Sequence, residues 1–411
     1  MIMISGGILL GWRGVEILPN FRIFPSEYFI WIGFFINLFD SLIKNKPYKR
    51  MKWPWQAIFL GFATIFAVVL AGLKSRPANL YLSEAKSFFV FIPLLIIFKD
   101  LITTKKQILT VVYAVTFSCV IIALLGVIER FFPQISSLLP WLFTNSTYSR
   151  NNFNFGSMVE LSGFSFWGSP VISVFLVMGL GLWTAGLSVS KKILKLLWII
   201  SGMILILGIL VSGYRTSWIG LIVVLLLLFL NKSNYGLFLI GIVGISFYLL
   251  PEGFLDRLLT AFRPLQSGDT SVLFRTEALK AGLIILRDNW LFGTGWNTKI
   301  VFNDWLYLAI VLGLPALIIF VSWYYLLLRK LRNLTNYVKR IDKTSRQIAL
   351  GFFIGAAGYI FCMISGAMSQ VPPIMVSFWV VFCAAWRYCE VMFLELRNDQ
   401  SEQINSLAPN I

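Results

Sequence analysis

Long apolar stretches follow one another along most of this chain, and most of the polar segments between them are short. A stretch of about 17–25 apolar residues is long enough to cross the hydrocarbon core of a bilayer as a helix. Because backbone groups in lipid must be hydrogen-bonded internally, such a chain folds as a bundle of membrane helices. We therefore predict a single all-α polytopic membrane domain over 1–411, with about twelve transmembrane helices, some of them short, at 1–12, 26–43, 54–73, 80–98, 107–128, 165–186, 193–212, 216–231, 234–251, 303–328, 347–368 and 371–393.

The composition excludes several classes of protein. Hydrophobic residues make up 58% of the chain and charged residues 13%, against about 45–50% and 25% in soluble domains. The chain contains no histidine, which excludes Ser-His-Asp triads, histidine-ligated zinc and histidine general bases. The cysteines lie inside apolar stretches and are predicted to act as small hydrophobic residues: Cys119, Cys362, Cys383 and Cys389.

The charge distribution predicts the orientation of the chain. The net charge is +17, from 35 basic and 18 acidic residues. With both termini in the cytoplasm, 21 of the 35 basic residues fall in or beside cytoplasmic loops, and six of the other 14 lie in one long outer loop. Short cytoplasmic loops are enriched in Lys and Arg, whereas long loops escape this rule. The basic charge therefore indicates topology and not nucleic-acid binding.

Two long segments are predicted on the outer face, at 129–164 and 252–302. Long loops are usually functional. Within the second loop, 270–290 has the pattern of an amphipathic helix with Thr270 or Ser271 as its N-cap, and Gly293-Thr294-Gly295 predicts a turn. The polar segment 397–411 is predicted to be a flexible cytoplasmic tail.

Arg215 is a candidate anion-binding residue at the outer end of a span. Its guanidinium has five donors that suit phosphate oxygens, and the nearby Ser212 and Thr216 add hydroxyl groups. The alternative is that Arg215 only marks the end of a span, with its charge drawn to the interface.

Four further charged residues are candidates on the outer face. Arg275 and Glu277 belong to the amphipathic helix, where solvent exposure is the competing interpretation. Asp304 stands at the start of a span, where it would either favour the helix dipole or accept a proton in catalysis. Glu160 flanks the first outer loop. We predict no metal and no cofactor, because neither ligand spacing nor a dinucleotide fingerprint is present.

Four short motifs follow one another within 155–330. They are Leu161-Ser162-Gly163-Phe164 with Gly168 and Pro170; Ser212-Gly213-Tyr214-Arg215-Thr216-Ser217-Trp218; Arg275 and Ala278 followed by Asp288-Asn289-Trp290-Leu291-Phe292-Gly293-Thr294-Gly295; and Asn303-Asp304-Trp305-Leu306 with Gly313-Leu314-Pro315. Their order and spacing resemble the bacterial O-antigen ligase and O-antigen polymerase superfamily of integral membrane glycan transferases.

The resemblance implies a fold like that of the C-type glycosyltransferases and a multi-pass protein of the bacterial inner membrane. It implies a metal-independent enzyme that transfers or polymerises a glycan carried on undecaprenyl pyrophosphate, with an acceptor glycan or lipid A core as the second substrate. On this basis the pyrophosphate is bound by Arg215, Arg275, Ser212 and Thr216, and the catalytic candidates are Asp304, then Glu277 and Glu160.

Three departures from the family pattern favour the polymerase branch over the ligase branch. The ligase histidine aligns with Phe302, a frequent Glu aligns with Val311, and Glu160 stands where Arg is common. A ligase that attaches glycan to lipid A core remains an alternative. So do a polysaccharide or lipid transporter or flippase, and an inactive relative that assembles an export complex. The depth of Arg215, Arg275 and Asp304 in the membrane distinguishes these classes.

Overall fold

The computed structural model describes residues 15–18, 21–23, 25–43, 53–132, 173–189, 192–231, 240–241, 244, 270–298, 303–337, 342–364, 366 and 372–407. Within these ranges the protein has a two-stranded antiparallel hairpin and thirteen helices. The strands are β1 (Val15–Leu18) and β2 (Phe21–Ile23). The helices are α1 (Pro25–Ile43), α2 (Trp55–Leu73), α3 (Ala78–Phe89), α4 (Phe91–Leu101), α5 (Lys105–Phe131), α6 (Ser173–Val189), α7 (Lys192–Val211), α8 (Arg215–Leu230), α9 (Thr270–Asp288), α10 (Asp304–Leu312), α11 (Leu314–Tyr337), α12 (Lys343–Cys362) and α13 (Pro372–Leu407).

The prediction of a helical membrane protein is confirmed. Among the described residues, seven helical segments are long and apolar enough to cross a membrane: Trp55–Leu73, Ala78–Leu101, Lys105–Ile128, Leu194–Val211, Leu314–Tyr337, Lys343–Cys362 and Ile374–Leu396. Two shorter apolar helices are Ser173–Leu187 and Arg215–Leu230. The predicted span 1–12 and most of 234–251 lie outside the described residues, so the number twelve stays a prediction.

Two predicted spans are divided into shorter helices. The stretch 80–98 consists of α3 and α4, which meet at Val90. Pro93 accounts for this break, because it has no N–H to donate to the carbonyl of Phe89. The stretch 303–328 is divided at Gly313, whose φ is +88°. The resulting α10 has nine residues and is about 14 Å long, too short to cross the bilayer, so α11 provides the crossing.

Close backbone contact joins α6 and α12. A Cβ atom added at Gly181 would lie 2.3 Å from the Cα atom of Gly355, and one added at Gly351 would lie 3.0 Å from the carbonyl oxygen of Gly181. Small residues let membrane helices approach one another in this way. Residues 173–187 of α6 are buried throughout, so these two helices lie inside the bundle.

Two smaller predictions have different outcomes. The four cysteines are free and buried, as predicted for small hydrophobic residues. The helix α13 continues to Leu407, through most of the segment 397–411, and the flexibility of that tail stays a prediction. Residues 397–407 contain neither glycine nor proline, so nothing in the sequence stops the helix there.

The length of α12 separates two polar regions of the bundle. At its start, the Asp342 carboxylate lies 3.4 Å from the Lys105 ammonium. At its far end, the carbonyl of Met363 accepts a 3.0 Å hydrogen bond from the backbone N–H of Asp304. The 20 residues of α12 place these contacts about 30 Å apart. We call the region of Lys105, Asp342 and Glu395 the Lys105 end, and the region of Tyr214, Asp304 and Met363 the Asp304 end.

Candidate functional site

The first turn of α10 is fixed against the end of α12. Asn303 is the N-cap, and its side-chain oxygen accepts a 2.9 Å hydrogen bond from the N–H of Leu306. The amide group of the same side chain donates to the carbonyl of Ile364 at 2.7 Å. Asp304 follows as a first-turn residue, completely buried. A carboxylate in the first turn interacts favourably with the positive end of the helix dipole. The N-cap and the contacts with α12 hold it inside the protein.

The Asp304 carboxylate acts electrostatically on several hydroxyl and thiol groups. Its charge acts on Tyr214, Tyr307, Tyr359 and Cys362, which come from three different parts of the chain. The Tyr359 hydroxyl is buried and makes no hydrogen bond with any described residue. A buried donor without a partner costs about 1–3 kcal/mol, so this group is available to a bound ligand.

The phenol of Tyr214 connects Arg275 to Asp304. Burial raises the pKa of Tyr214 to about 12, while the positive charge of Arg275 lowers it and the negative charge of Asp304 raises it. Both charges therefore act on the same phenol. Arg275 is partly buried on α9.

Arg215 is the first residue of α8, directly after Tyr214. It is therefore at the Asp304 end, as the sequence predicted for an anion-binding residue. Thr216 is buried beside it, and its carbonyl accepts a hydrogen bond from the Cys362 thiol. Ser212 is different, because its buried hydroxyl donates to the carbonyl of Ile209 at 2.7 Å and accepts from the N–H of Tyr214. The structure thus uses the Ser212 hydroxyl to form the turn.

The other two predicted catalytic carboxylates are Glu277 and Glu160. The Glu277 side chain is 74% exposed and lies 3.4 Å from the exposed Lys280 ammonium. It therefore belongs to the solvated face of α9, and its catalytic role stays a prediction. Glu160 lies outside the described residues, as does most of the predicted first outer loop, because residues 133–172 are not described.

The Gly293-Thr294-Gly295 segment is a turn, as predicted, and it packs tightly on α10. The N–H groups of Thr294 and Gly295 donate to the carbonyls of Ile310 and Val311 at 2.6 and 3.1 Å. Both glycines have positive φ, at +71° for Gly293 and +84° for Gly295, a region that other residues rarely adopt. A Cβ atom at Gly295 would also lie 2.6 Å from the carbonyl oxygen of Ala67 on α2.

Arg76 and Glu84 hold this turn from the opposite side. The Arg76 guanidinium donates to the carbonyl oxygens of Gly295, at 2.8 Å, and Trp296. The Glu84 Oε2 atom accepts from the N–H of Asn297 at 2.8 Å and from the Tyr307 hydroxyl at 2.6 Å. Because Tyr307 lies one helical turn after Asp304, Glu84 and Asp304 both act on its phenol. The Asp304 end therefore contains a second carboxylate.

Arg76 and Glu84 were not among the predicted site residues, although the sequence contains an indication for Glu84. Glu84 lies within the apolar stretch 80–98, and an ionisable residue inside a span is a candidate functional residue by default. Arg76 resembled an ordinary loop residue. Its connection to the turn 293–297 spans 219 positions in the sequence, and no local pattern indicates such a contact.

Comparisons with family models and with curated proteins give no significant match to this chain.

Proposed function

We propose that this protein is a membrane glycan transferase of the O-antigen polymerase type. It would join a glycan carried on undecaprenyl pyrophosphate to a sugar hydroxyl at the outer face of the bacterial inner membrane. The main support is the meeting of three separate segments at the Asp304 end. The start of α8 carries Arg215, α9 carries Arg275 and α10 carries Asp304, and Tyr214 lies among them.

Charge supports the orientation in this proposal. The Lys105 end contains Lys105, Lys330 and Arg387, and it adjoins the loops that hold most of the basic residues. By the positive-inside rule this end faces the cytoplasm. The Asp304 end then faces outward, where lipid-linked glycans await transfer. Because α13 runs towards Glu395 at the Lys105 end, the C-terminus is cytoplasmic.

The chemistry suits two arginines and a carboxylate without a metal. The acceptor oxygen bonds to the anomeric carbon, and the bond from that carbon to the pyrophosphate oxygen breaks with its electron pair. Planar guanidinium groups bind phosphate oxygens with paired hydrogen bonds. Arg215 and Arg275 would stabilise the charge that develops on the pyrophosphate. A carboxylate at the site takes the proton released by the acceptor hydroxyl.

The placement of the charged residues favours an enzyme over a transporter. A transporter binds substrate near the midplane of the membrane. Arg215, Asp304 and Arg275 instead lie at one end of the bundle, about 30 Å along α12 from the Lys105 end. A ligase would use the same site with lipid A core as acceptor. The acceptor therefore distinguishes a ligase from a polymerase.

The test is product formation by the purified chain in liposomes. Lipid-linked glycans extracted from the source membranes are the donor, and products are resolved by size. We expect longer glycans and release of polyprenyl pyrophosphate. Lipid A core added as acceptor distinguishes the ligase. Absence of any transferred product would overturn the proposal, and outward movement of unchanged lipid-linked glycan in the same liposomes would identify a flippase.

A further inference from the structure

Glu84 has the geometry of a proton acceptor. The sequence predicted this role for Asp304. Only the Oε2 atom of Glu84 is used in hydrogen bonds with described residues, accepting from the Tyr307 hydroxyl at 2.6 Å and from the N–H of Asn297 at 2.8 Å. The Oε1 atom makes none of these contacts. Two donors therefore fix the orientation of the carboxylate and leave one oxygen open. The side chain is also only partly buried.

Asp304 lacks this access. Its side chain is completely buried, and its place in the first turn of α10 stabilises the ionised form through the helix dipole. A general base must come within about 2.6–3.2 Å of the proton that it removes. A partly exposed carboxylate meets this requirement more easily than one that is completely buried.

Tyr307 joins the two carboxylates into one unit. Its hydroxyl donates to Glu84, and its ring lies one turn from Asp304 on α10, buried to 1% exposure. Arg76 also acts on Tyr307 and Glu84 while it holds the turn 293–297. Asn297, in that turn, follows α9, which carries Arg275. The hydrogen bonds thus fix Glu84 relative to the turn 293–297 and to α10, the helix that carries Asp304.

We propose that Glu84 is the general base of the transfer reaction and that Asp304 is a positioning residue. The acceptor oxygen forms its bond to the anomeric carbon while the carbon–oxygen bond to pyrophosphate breaks. The electron pair leaves with the polyprenyl pyrophosphate, and the acceptor proton passes to Oε1 of Glu84. This inference rests on the proposed function and assigns the proton transfer to one residue of the same site.

Glu84→Gln is the informative substitution, because the amide oxygen still accepts both hydrogen bonds but takes up protons poorly. General-base catalysis contributes about 10²–10⁴-fold, so we expect turnover to fall about 100-fold or more. The KM for the lipid-linked glycan and inhibition by inorganic pyrophosphate should change less than threefold. Asp304→Asn should reduce turnover less than tenfold. Asp288→Asn, which changes an exposed carboxylate at the end of α9 that pairs with Arg287, is the control and should have no effect.

A purely structural role for Glu84 gives a different result. Tyr307→Phe removes the hydrogen bond and keeps the carboxylate, so we expect a loss of less than tenfold. Glu84→Ala should recover at least tenfold in activity with added formate, which replaces the base. The charged and titratable groups that act on Glu84 are Tyr307 and Arg76. If the native protein loses activity at acid pH and Glu84→Gln does not, the loss is caused by protonation of the Glu84 carboxylate.

Three results would overturn the assignment. One is a Glu84→Gln variant that keeps more than a tenth of native turnover, and another is an equal loss in Glu84→Gln and Tyr307→Phe. The third is an Asp304→Asn variant that loses far more than Glu84→Gln. If Glu84→Gln fails to fold, Glu84→Asp is measured in its place. A Glu84→Asp variant without measurable turnover, or without the loss of activity at acid pH, would show that the assignment is wrong. A native chain without any transferase activity overturns the proposed function itself, and the role of Glu84 with it.

Discussion

The two ends of the bundle use their charged residues differently. At the Lys105 end, charges meet opposite charges: Lys105 lies 3.4 Å from Asp342 and 2.8 Å from Glu395, and Arg387 lies 2.9 Å from Glu390. The two pairs of Lys105 connect the start of α5 to the start of α12 and to α13, whereas Arg387 and Glu390 both lie on α13. The three pairs are partly exposed and resemble the surface ion pairs that contribute little to stability individually.

At the Asp304 end, the hydrogen bonds of Arg76 and Glu84 are made with neutral polar groups. Arg76 binds carbonyl oxygens, and Glu84 binds a phenol and a backbone N–H. Asp304 and Arg275 act on the Tyr214 phenol. An ion pair between Glu27 and Lys86 is also present where α1 meets α3. The hydrogen bonds of Arg76 and Glu84 fix the orientation of both side chains. The proposed function uses this difference, with ligand binding at the Asp304 end and structural support at the Lys105 end.

The largest effect on activity should come from Arg275. Arg275→Ala removes a guanidinium from the site, and loss of one transition-state donor typically reduces turnover about 10²–10³-fold. Arg287→Ala is the matched control, because Arg287 lies on the same helix, is 77% exposed and pairs with Asp288. We expect it to keep native turnover. Transfer of lipid-linked glycan measures both variants, and equal losses would show that α9 acts through its overall charge.

The largest effect on stability should come from Gly313. A Cβ atom there would lie 2.3 Å from the carbonyl oxygen of Leu291, at a φ of +88°. Overpacking and left-handed backbone each cost about 1–3 kcal/mol, so Gly313→Ala should lower the unfolding temperature in detergent. Gly72→Ala, in α2 with ordinary contact distances, should be neutral or stabilising by up to about 1 kcal/mol. A stable Gly313→Ala protein would contradict the close contact between the turn and α10.

The smallest effect should follow changes at the Lys105 end. Burial would raise the pKa of Asp342, but hydrogen bonds from Ser345 and the N–H of Thr344, together with Lys105, lower it below its usual value. The resulting stability is present above the pKa of about 3.9 in the unfolded chain and disappears as the pH falls through the lower folded pKa. Asp342→Ala removes an N-cap and should cost about 1 kcal/mol.

Thermal unfolding between pH 7 and pH 3 tests this prediction. The difference between native protein and Asp342→Ala should shrink as the pH falls, and glycan transfer at pH 7 should be unchanged. Lys106→Ala, which changes the exposed neighbour of Lys105, should alter neither property. A loss of transfer in Asp342→Ala with stability intact would place part of the active site at the Lys105 end.

Much of the helical architecture follows from the sequence, because apolar length directly reports the bilayer crossing. The amphipathic helix in the long loop and the turn at Gly293 were also predicted, from periodicity and glycine content. The break at Gly313 was not, because a continuous apolar stretch looks the same whether it is one helix or two. Its cause is a close contact with Leu291, which depends on the tertiary fold.

The candidate site was also predicted only in part, because it too depends on tertiary contacts. Arg275 and Asp304 were selected individually, and the structure shows both acting on Tyr214. Glu277 was selected from its helix and proved to lie on the solvated face. Glu84 was overlooked because its partners, Asn297 and Tyr307, lie 213 and 223 positions away. Local sequence patterns therefore identified residue types near the site, and long-range contacts determined which of them belong to it.

The most direct test of this account compares Arg215→Ala with Lys105→Ala in one assay. Each variant removes a positive charge from one end of the bundle, and transfer of lipid-linked glycan is measured in liposomes at matched protein amounts. The account predicts that Arg215→Ala loses transfer by about 100-fold and that Lys105→Ala keeps it within about twofold. Equal activity in the two variants, or a greater loss in Lys105→Ala, would contradict the assignment of the anion-binding site to the Asp304 end.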